Sequence, residues 1–189
     1  MSFFDYPNVI AARRSMLIRS GAVLSGAAIA LLAGRDALAA TTDDAAAGDI
    51  RILNTALGAE YEAIAAYQVG AESGLLQKPV LDLAVTFQGH HKEHADVLSK
   101  TVAKLGGSPV AAKAKYDFPV ATLKTQNDVL NFAATLEKGA VSAYLGAVPL
   151  FANRDLAKAG ASILGDEAMH WAILRQALGM PPVPVAFMS

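Results

Sequence analysis

The sequence lacks cysteine and carries almost no net charge, and both absences limit what the chain can do. Without cysteine among 189 residues there is no disulfide, thiolate nucleophile or iron–sulfur cluster. Any bound metal ion must therefore use oxygen and nitrogen ligands. A formal net charge of -1 gives no electrostatic reason to expect nucleic acid as a partner. The length suits one domain with a single buried core.

Long apolar runs are absent too, although the N-terminus carries a short one. Arg13 and Arg14 precede an uncharged stretch, residues 20–34, which is shorter than the roughly 20 residues of a membrane-spanning helix. The small-residue pattern Ala-Leu-Ala follows at 37–39. These features predict a secretory signal over residues 1–39, and the paired arginines resemble a twin-arginine export signal. We expect a periplasmic or otherwise exported protein, with an uncleaved membrane anchor as the alternative.

Four helical segments follow a predicted polar linker, residues 40–48. Each segment is rich in Ala and Leu, with apolar positions three and four apart and no internal proline. The segments are predicted at 49–73, 80–105, 126–148 and 155–178. Short links join the first to the second and the third to the fourth, whereas a long stretch, 106–125, joins the two pairs. This pattern predicts an all-α four-helix bundle over 49–179, in which a long crossover joins two antiparallel helical hairpins. The apolar, proline-rich tail, 180–189, is left unassigned.

The two halves of the predicted bundle repeat the same polar residues. In the first and third segments a Glu precedes a Tyr by seven positions, and the second and fourth carry His-x-x-His and Glu-x-x-His. These residues are Glu60 and Tyr67, Glu137 and Tyr144, His91 and His94, and Glu167 and His170. The helical period places them on core-facing stripes near the middle of each helix, which suggests a pseudo-twofold arrangement. Glu62 and Glu93 lie off those stripes and are expected to face solvent.

Three inward glutamates, Glu60, Glu137 and Glu167, need compensation inside the core. An unpaired buried charge costs several kcal/mol, whereas a whole domain is stable by only about 5–15 kcal/mol. Protons, histidine cations or a metal could compensate, and a divalent metal satisfies the charge and the oxygen lone pairs together. All four histidines fall at or beside these residues. We expect His90 at the edge, where it could pair with Glu93 or serve the site.

These motifs resemble those of the ferritin-like superfamily of dinuclear carboxylate proteins, including bacterioferritin, rubrerythrin and the exported ferritin-like domain proteins. That superfamily places one Glu on each of two helices and Glu-x-x-His on each of the other two. The resemblance covers nearly all of the mature chain and implies five metal ligands: Glu60, His94, Glu137, Glu167 and His170. Tyr67 and Tyr144 match tyrosines that hydrogen-bond ligand carboxylates. The implied cofactor is iron or manganese, with O₂ or peroxide as the reactant and ferroxidase, peroxidase or catalase-like activity.

One position departs from that pattern, because His91 stands where a bridging Glu is expected. Four carboxylates neutralise two divalent ions, whereas three leave one surplus positive charge. A bridging hydroxide could absorb that charge, or one metal position could be weak or empty. We predict that His91 is itself a ligand, which gives a set of three glutamates and three histidines.

Two other interpretations of the sequence stay open. The same bundle could hold a single ion such as zinc, for structure or for sequestration. Alternatively, the polar cluster could be a degenerate site in a structural or interaction module. The sequence assigns no catalytic residue and leaves small oligomers, such as a homodimer, possible.

Overall fold

The computed structural model describes residues 42–188, and the predicted signal over residues 1–39 lies outside them. Four α-helices account for most of this part of the chain: α1 (Thr42–Glu72), α2 (Lys78–Lys104), α3 (Gln126–Ala147) and α4 (Arg154–Ala177). Two single turns of 3₁₀-helix, Val120–Thr122 and Val148–Leu150, complete the regular structure of residues 42–188. The predicted all-α fold is confirmed. None of these helices is both long and apolar enough to cross a membrane.

The bounds of α2, α3 and α4 lie within two residues of the predicted ones, and side-chain caps fix the starts of α3 and α4. At the start of α3, the Thr125 hydroxyl accepts from the Asp128 backbone N–H, and the Asp128 carboxylate accepts from the Thr125 N–H. At the start of α4, the Asn153 side chain accepts from the N–H of Asp155. Each cap satisfies N–H groups that the helix itself leaves without partners.

The start of α1 differs from the prediction. The helix begins at Thr42 rather than at residue 49, so the predicted linker over 40–48 was wrong for most of its length. Three consecutive alanines at 45–47 explain the difference, since alanine has the highest intrinsic helix propensity. The first two turns of α1 therefore consist of residues that the polar composition had predicted to be a linker.

The directions of the helices explain the long crossover. Contacts between α1 and α3 pair a later residue of each helix with an earlier residue of the other, as antiparallel helices do; the pairs are Tyr67–Glu137 and Tyr144–Glu60. Helices α2 and α4 are antiparallel for the same reason, through the pairs Phe87–His170 and His94–Glu167. Because short links make α1–α2 and α3–α4 antiparallel hairpins, α2 and α3 run in the same direction. The crossover at 105–125 must therefore return along the bundle, as predicted.

The beginning of the crossover is held against α1. The Asn54 side chain donates to the Ser108 carbonyl at 3.0 Å and accepts from the Val110 N–H at 2.8 Å. Gly107 lies so close to α1 that an added Cβ would fall 2.7 Å from Ile50 Cγ2. The chain thus leaves α2 through a position where only glycine fits without displacing a neighbour.

Two apolar clusters fill the core on either side of the predicted polar residues. The first includes Leu53, Leu57, Leu98, Val102 and Phe151. The second includes Phe87, Leu130, Trp171 and Leu174. Along every helix the polar positions lie between residues of the two clusters, so apolar packing encloses the polar layer from both ends of the bundle.

One buried carboxylate outside this layer joins α1 to the link between α3 and α4. Asp49 is only 4% exposed, and its two oxygens accept from the backbone N–H groups of Ala152 and Asn153 at 2.8 and 3.0 Å. These bonds tie the first half of the bundle to the N-terminus of α4. Sequence periodicity does not reveal such a contact, because its partners are about one hundred positions apart.

Replacing this carboxylate should destabilise the fold without touching the polar layer. We expect Asp49→Ala to lower the free energy of unfolding by about 2 kcal/mol, since it leaves two backbone N–H groups without acceptors. Urea unfolding of the metal-free protein measures the change. Asp117→Ala is the control, because that side chain is 99% exposed in the crossover and should have almost no effect. Equal stability of the two variants would contradict the assigned role.

Candidate metal centre

The six predicted ligands converge on one place between the four helices. Each helix supplies one or two of them: α1 gives Glu60, α2 gives His91 and His94, α3 gives Glu137, and α4 gives Glu167 and His170. Five of the six side chains are at most 3% exposed, and His94 is 15% exposed. Helical spacings of three and four residues thus turn the ligand-type side chains inward, as the sequence predicted.

The first donor set consists of Glu60, His91, His94 and Glu167. Its closest contact joins His91 Nδ1 to Glu60 Oε2 at 2.8 Å. His94 Nδ1 lies 3.2 Å from Glu167 Oε1 and 3.6 Å from Glu60 Oε2. Two carboxylates and two imidazoles therefore face a common centre, as the ligands of a divalent ion do.

The second donor set consists of His91, Glu137, Glu167 and His170. His91 belongs to this set through its other nitrogen, Nε2, which lies 3.3 Å from Glu137 Oε1. His170 Nδ1 lies 3.5 Å from both Glu137 Oε1 and Glu167 Oε2. This set again offers two carboxylates and two imidazoles.

His91 and Glu167 belong to both sets. Glu167 directs Oε1 to the first set and Oε2 to the second. His91 directs Nδ1 to the first and Nε2 to the second. The two residues occupy equivalent places in the two hairpins, three positions before His94 and His170. The structure thus places His91 among the potential donors, between the two sets.

Several buried atoms of this cluster have no hydrogen-bond partner. They are His94 Nδ1, both Glu167 oxygens, Glu137 Oε2 and His170 Nδ1. Leaving buried polar atoms unpaired is expensive, and such atoms in a folded protein call for an explanation. Four of the five are donors that face the two sets. The cluster therefore fits divalent metal ions, which would satisfy these atoms.

Two tyrosines hold Glu137 and Glu60, the two glutamates that belong to only one donor set each. The Tyr67 hydroxyl donates to Glu137 Oε1, and the Tyr144 hydroxyl donates to Glu60 Oε1 at 2.6 Å. Each bond joins α1 to α3, and both tyrosines are 5% exposed. These are the contacts that the resemblance implied. They fix the direction of carboxylates that would otherwise rotate freely within the polar layer.

Asp166 is a functional candidate that the sequence analysis missed. Its Oδ2 lies 3.4 Å from His94 Nε2 and 3.2 Å from His170 Nε2, on the side of each ring that faces away from the donor sets. A carboxylate at this place orients metal-binding imidazoles and increases their basicity. The signal was readable, since Asp166 lies four residues before His170 and so on the same helix face.

His90 lies at the edge of the cluster, as expected, but its neighbours differ from the expected Glu93. His90 Nδ1 is 2.9 Å from His170 Nε2 and 3.3 Å from Asp166 Oδ2. These three residues form a third group of possible metal ligands, which is partly open to solvent. This group shares His170 with the second donor set and therefore lies directly beside it.

The two glutamates placed off the stripes behave differently from each other. Glu93 is exposed, as expected. Glu62 is only partly exposed, so the expectation that it faces solvent was wrong in degree. Burial raises the pKa of Glu62, and the nearby charge of Lys113 opposes that shift without cancelling it. Neither residue belongs to a donor set.

Electrostatic interactions within the cluster strongly favour protonated histidines. Burial alone would lower the pKa of His91, but its interactions with Glu137, Glu60 and Glu167 outweigh burial and raise it to about 11. Burial would also lower the pKa values of His94 and His170, but their interactions with the buried glutamates outweigh it and raise both to about 9. For Glu137, burial would raise the pKa, but His170 and His91 dominate and lower it. In the absence of metal, imidazolium groups therefore balance the buried carboxylates.

This balance predicts the pH dependence of the metal-free fold. The raised histidine pKa values contribute stability that is fully present below about pH 6.5, the unfolded value. It is lost as pH rises through about 9 for His94 and His170 and through about 11 for His91. The lowered pKa of Glu137 contributes stability that is lost in acid. Thermal unfolding of chelator-treated protein should therefore give the highest midpoint near pH 5–6.5 and falling midpoints above it.

The variant His94→Gln provides the control for this pH profile. It removes one of the titrating rings and should reduce the slope between about pH 6.5 and 9. A wild-type midpoint that stays constant over this range would contradict the assigned charge balance.

Comparisons with known proteins agree with this fold. The ferritin-like domain family matches residues 48–180. A conserved hypothetical protein from Mycobacterium tuberculosis superposes with a TM-score of 0.66 at 22% identity, over 76% of this chain and 99% of its own. A ferritin-like, diiron-carboxylate protein from Bacillus anthracis gives a TM-score of 0.62 at 21% identity, over 71% of this chain and 97% of its own. No curated protein matches the sequence. The family match covers most of the chain, which therefore belongs to the ferritin-like domain family.

Proposed function

We propose that this protein is an exported metalloprotein that binds two iron or manganese ions in the bundle core and reacts with O₂ or peroxide. The observation that carries the proposal is the pair of donor sets that share His91 and Glu167. Four buried atoms of these sets that lack hydrogen-bond partners face the shared region, and metal ions would satisfy them. The pairing of the sets favours two adjacent ions over two separate sites.

The donor chemistry supports iron or manganese. Carboxylate and imidazole ligands suit Fe²⁺, Mn²⁺ and Zn²⁺, and the chain has no thiolate that would favour softer metals. The structurally similar Bacillus anthracis protein is described as a diiron-carboxylate protein. Two redox-active ions in such a site supply the electrons that reduce O₂ or H₂O₂.

The remaining residues prepare the site for this chemistry. Tyr67 and Tyr144 hold Glu137 and Glu60 in place through hydrogen bonds. Asp166 contacts the outer nitrogens of the site histidines and fixes the orientation of the rings. The apolar clusters at both ends exclude water and strengthen electrostatic interactions inside the layer.

Export is part of the proposal and is supported by the N-terminal sequence. Arg13 and Arg14 stand before a short apolar stretch and a small-residue cleavage pattern. A twin-arginine signal carries proteins that have already folded, so metal could be bound before export. Recovery of a chain that starts near residue 40 from the periplasm tests this step.

A second candidate function is a bundle that binds one zinc ion or no metal at all. The charge balance of the cluster favours it, because three imidazolium groups can compensate three carboxylates without any ion. In this case the polar layer would serve the fold or an interaction. Metal content distinguishes the candidates directly.

We expect protein purified from the periplasm without chelators to contain nearly two iron or manganese ions per chain. Elemental analysis by mass spectrometry measures them. Replacing a shared or terminal carboxylate, as in Glu167→Ala or Glu137→Ala, should weaken binding at least about 100-fold, because a direct ligand matters more than an outer contact. The metal-loaded protein should also consume O₂ or H₂O₂, followed with an oxygen or peroxide electrode.

The control is Glu93→Ala, which removes an exposed carboxylate next to His94 on α2 and belongs to no donor set. It should retain wild-type metal content and turnover. One zinc ion per chain, or none after reconstitution with ferrous or manganous salts, would contradict the proposal and support the second candidate. Equal losses in Glu93→Ala and Glu167→Ala would contradict the assigned ligands.

A further inference from the structure

His91 is the residue at which this chain departs from the four-carboxylate pattern, and its ring has an unusual position. Nδ1 lies 2.8 Å from Glu60 Oε2 and 3.6 Å from Glu167 Oε1, all in the first donor set. Nε2 lies 3.3 Å from Glu137 Oε1, in the second. The two nitrogens of one ring therefore face two different ion positions, as the two oxygens of Glu167 do.

Neighbouring groups keep the ring in this orientation. The side chain is 1% exposed, so neighbouring groups surround the ring on all sides. The Tyr67 ring is tilted against it at a centroid distance of 5.3 Å, and the His94 and His170 rings present their edges at 6.0 and 5.4 Å.

The His91 ring can supply negative charge to the site if it binds ions through both of its nitrogens. A neutral imidazole has one nitrogen lone pair for a metal, because the other nitrogen carries a proton. A ring that binds ions through both nitrogens has lost that proton and carries one negative charge. Three carboxylates and one imidazolate supply four negative charges, which equal the positive charges of two divalent ions. The charge missing from the fourth carboxylate position is then supplied by the histidine that replaced it.

We propose that His91 bridges the two metal ions as an imidazolate, with Nδ1 bound to the ion in the first donor set and Nε2 to the ion in the second. The proposal rests on the dinuclear function proposed above. On metal binding, each N–H proton that the ring carries is released to bulk water, and each ring nitrogen forms one metal–nitrogen bond. No oxidation or reduction accompanies this exchange, and Glu167 directs one oxygen toward each donor set.

The separation of the ions tests the bridge independently of activity. Metal–nitrogen bonds of about 2.0–2.1 Å on opposite sides of an imidazolate place two ions about 6 Å apart. Ions bridged more closely, through hydroxide or oxygen atoms of carboxylates, lie about 3.5–4 Å apart. Crystals of the protein loaded with cobalt(II) alone give both positions from anomalous scattering, and we expect the longer separation with the His91 ring between the peaks.

The variant His91→Glu is the matched comparison, because it restores Glu-x-x-His on α2 and makes the two hairpins alike. It should still bind two cobalt ions, with the separation reduced to about 3.5–4 Å. His91→Gln, which keeps a polar side chain but cannot bridge as an anion, should lose one of the two ions.

The possible outcomes separate this proposal from the one on which it depends. Two ions about 3.5–4 Å apart in the wild-type protein would overturn the imidazolate bridge and leave the dinuclear function standing. A single ion, or none, would overturn both. A wild-type separation unchanged in His91→Glu would also overturn the bridge, since the ring would then have no part in setting it.

Discussion

The structure depends on the convergence of three carboxylates and three imidazoles in one layer, where all but His94 are almost fully buried. Glu60, Glu137 and Glu167 are at most 3% exposed, and an isolated charge at such a depth would cost several kcal/mol. Most of their compensation comes from other helices: Glu60 contacts His91 of α2, and Glu137 contacts His91 of α2 and His170 of α4. Antiparallel pairing of α1 with α3 and of α2 with α4 brings the compensating groups to the same level. The long crossover is the connection that this pairing requires.

The same six side chains suit two states of the protein, with and without metal. In the metal-free state the raised pKa values of His91, His94 and His170 keep positive charge beside the carboxylates. Tyrosine hydroxyls satisfy further oxygen lone pairs from the side. Small zinc domains differ in that their ligands have no such substitute and the fold forms only with metal. A bundle of this size has apolar clusters on both sides of the layer, so the pocket can be assembled before an ion enters.

The sequence predicted the fold and the inward-facing residues for reasons that are local. Caps such as Thr125 and Asn153 set the helix bounds, and spacings of three and four residues set the direction of Glu137 or His170. The features that the sequence did not predict depend either on contacts between distant segments or on the positions of individual atoms within a ring. The bond from Asp49 to the start of α4 is of the first kind. The two directions of His91 are of the second, because periodicity orients a side chain but does not assign its nitrogens. The early start of α1 has a local cause as well, because the alanines at 45–47 favour helix within a segment whose polar composition predicted a linker.

Electrical neutrality of the layer links proton release to metal binding. With three carboxylates ionised and three imidazoles protonated, the net charge is zero. Each divalent ion that binds adds two positive charges, so the net charge stays zero only if two protons leave. Binding of two ions therefore requires the loss of four protons. Three of these four protons come from the imidazolium groups of His91, His94 and His170, and the fourth must come from a ring that is already neutral or from a water that becomes hydroxide. The His91 ring lies between the two donor sets and exposes 1% of its surface, so its second proton can leave without bringing an additional anion into an apolar interior. The departure from the four-carboxylate pattern at position 91 therefore does not by itself prevent the site from holding two ions.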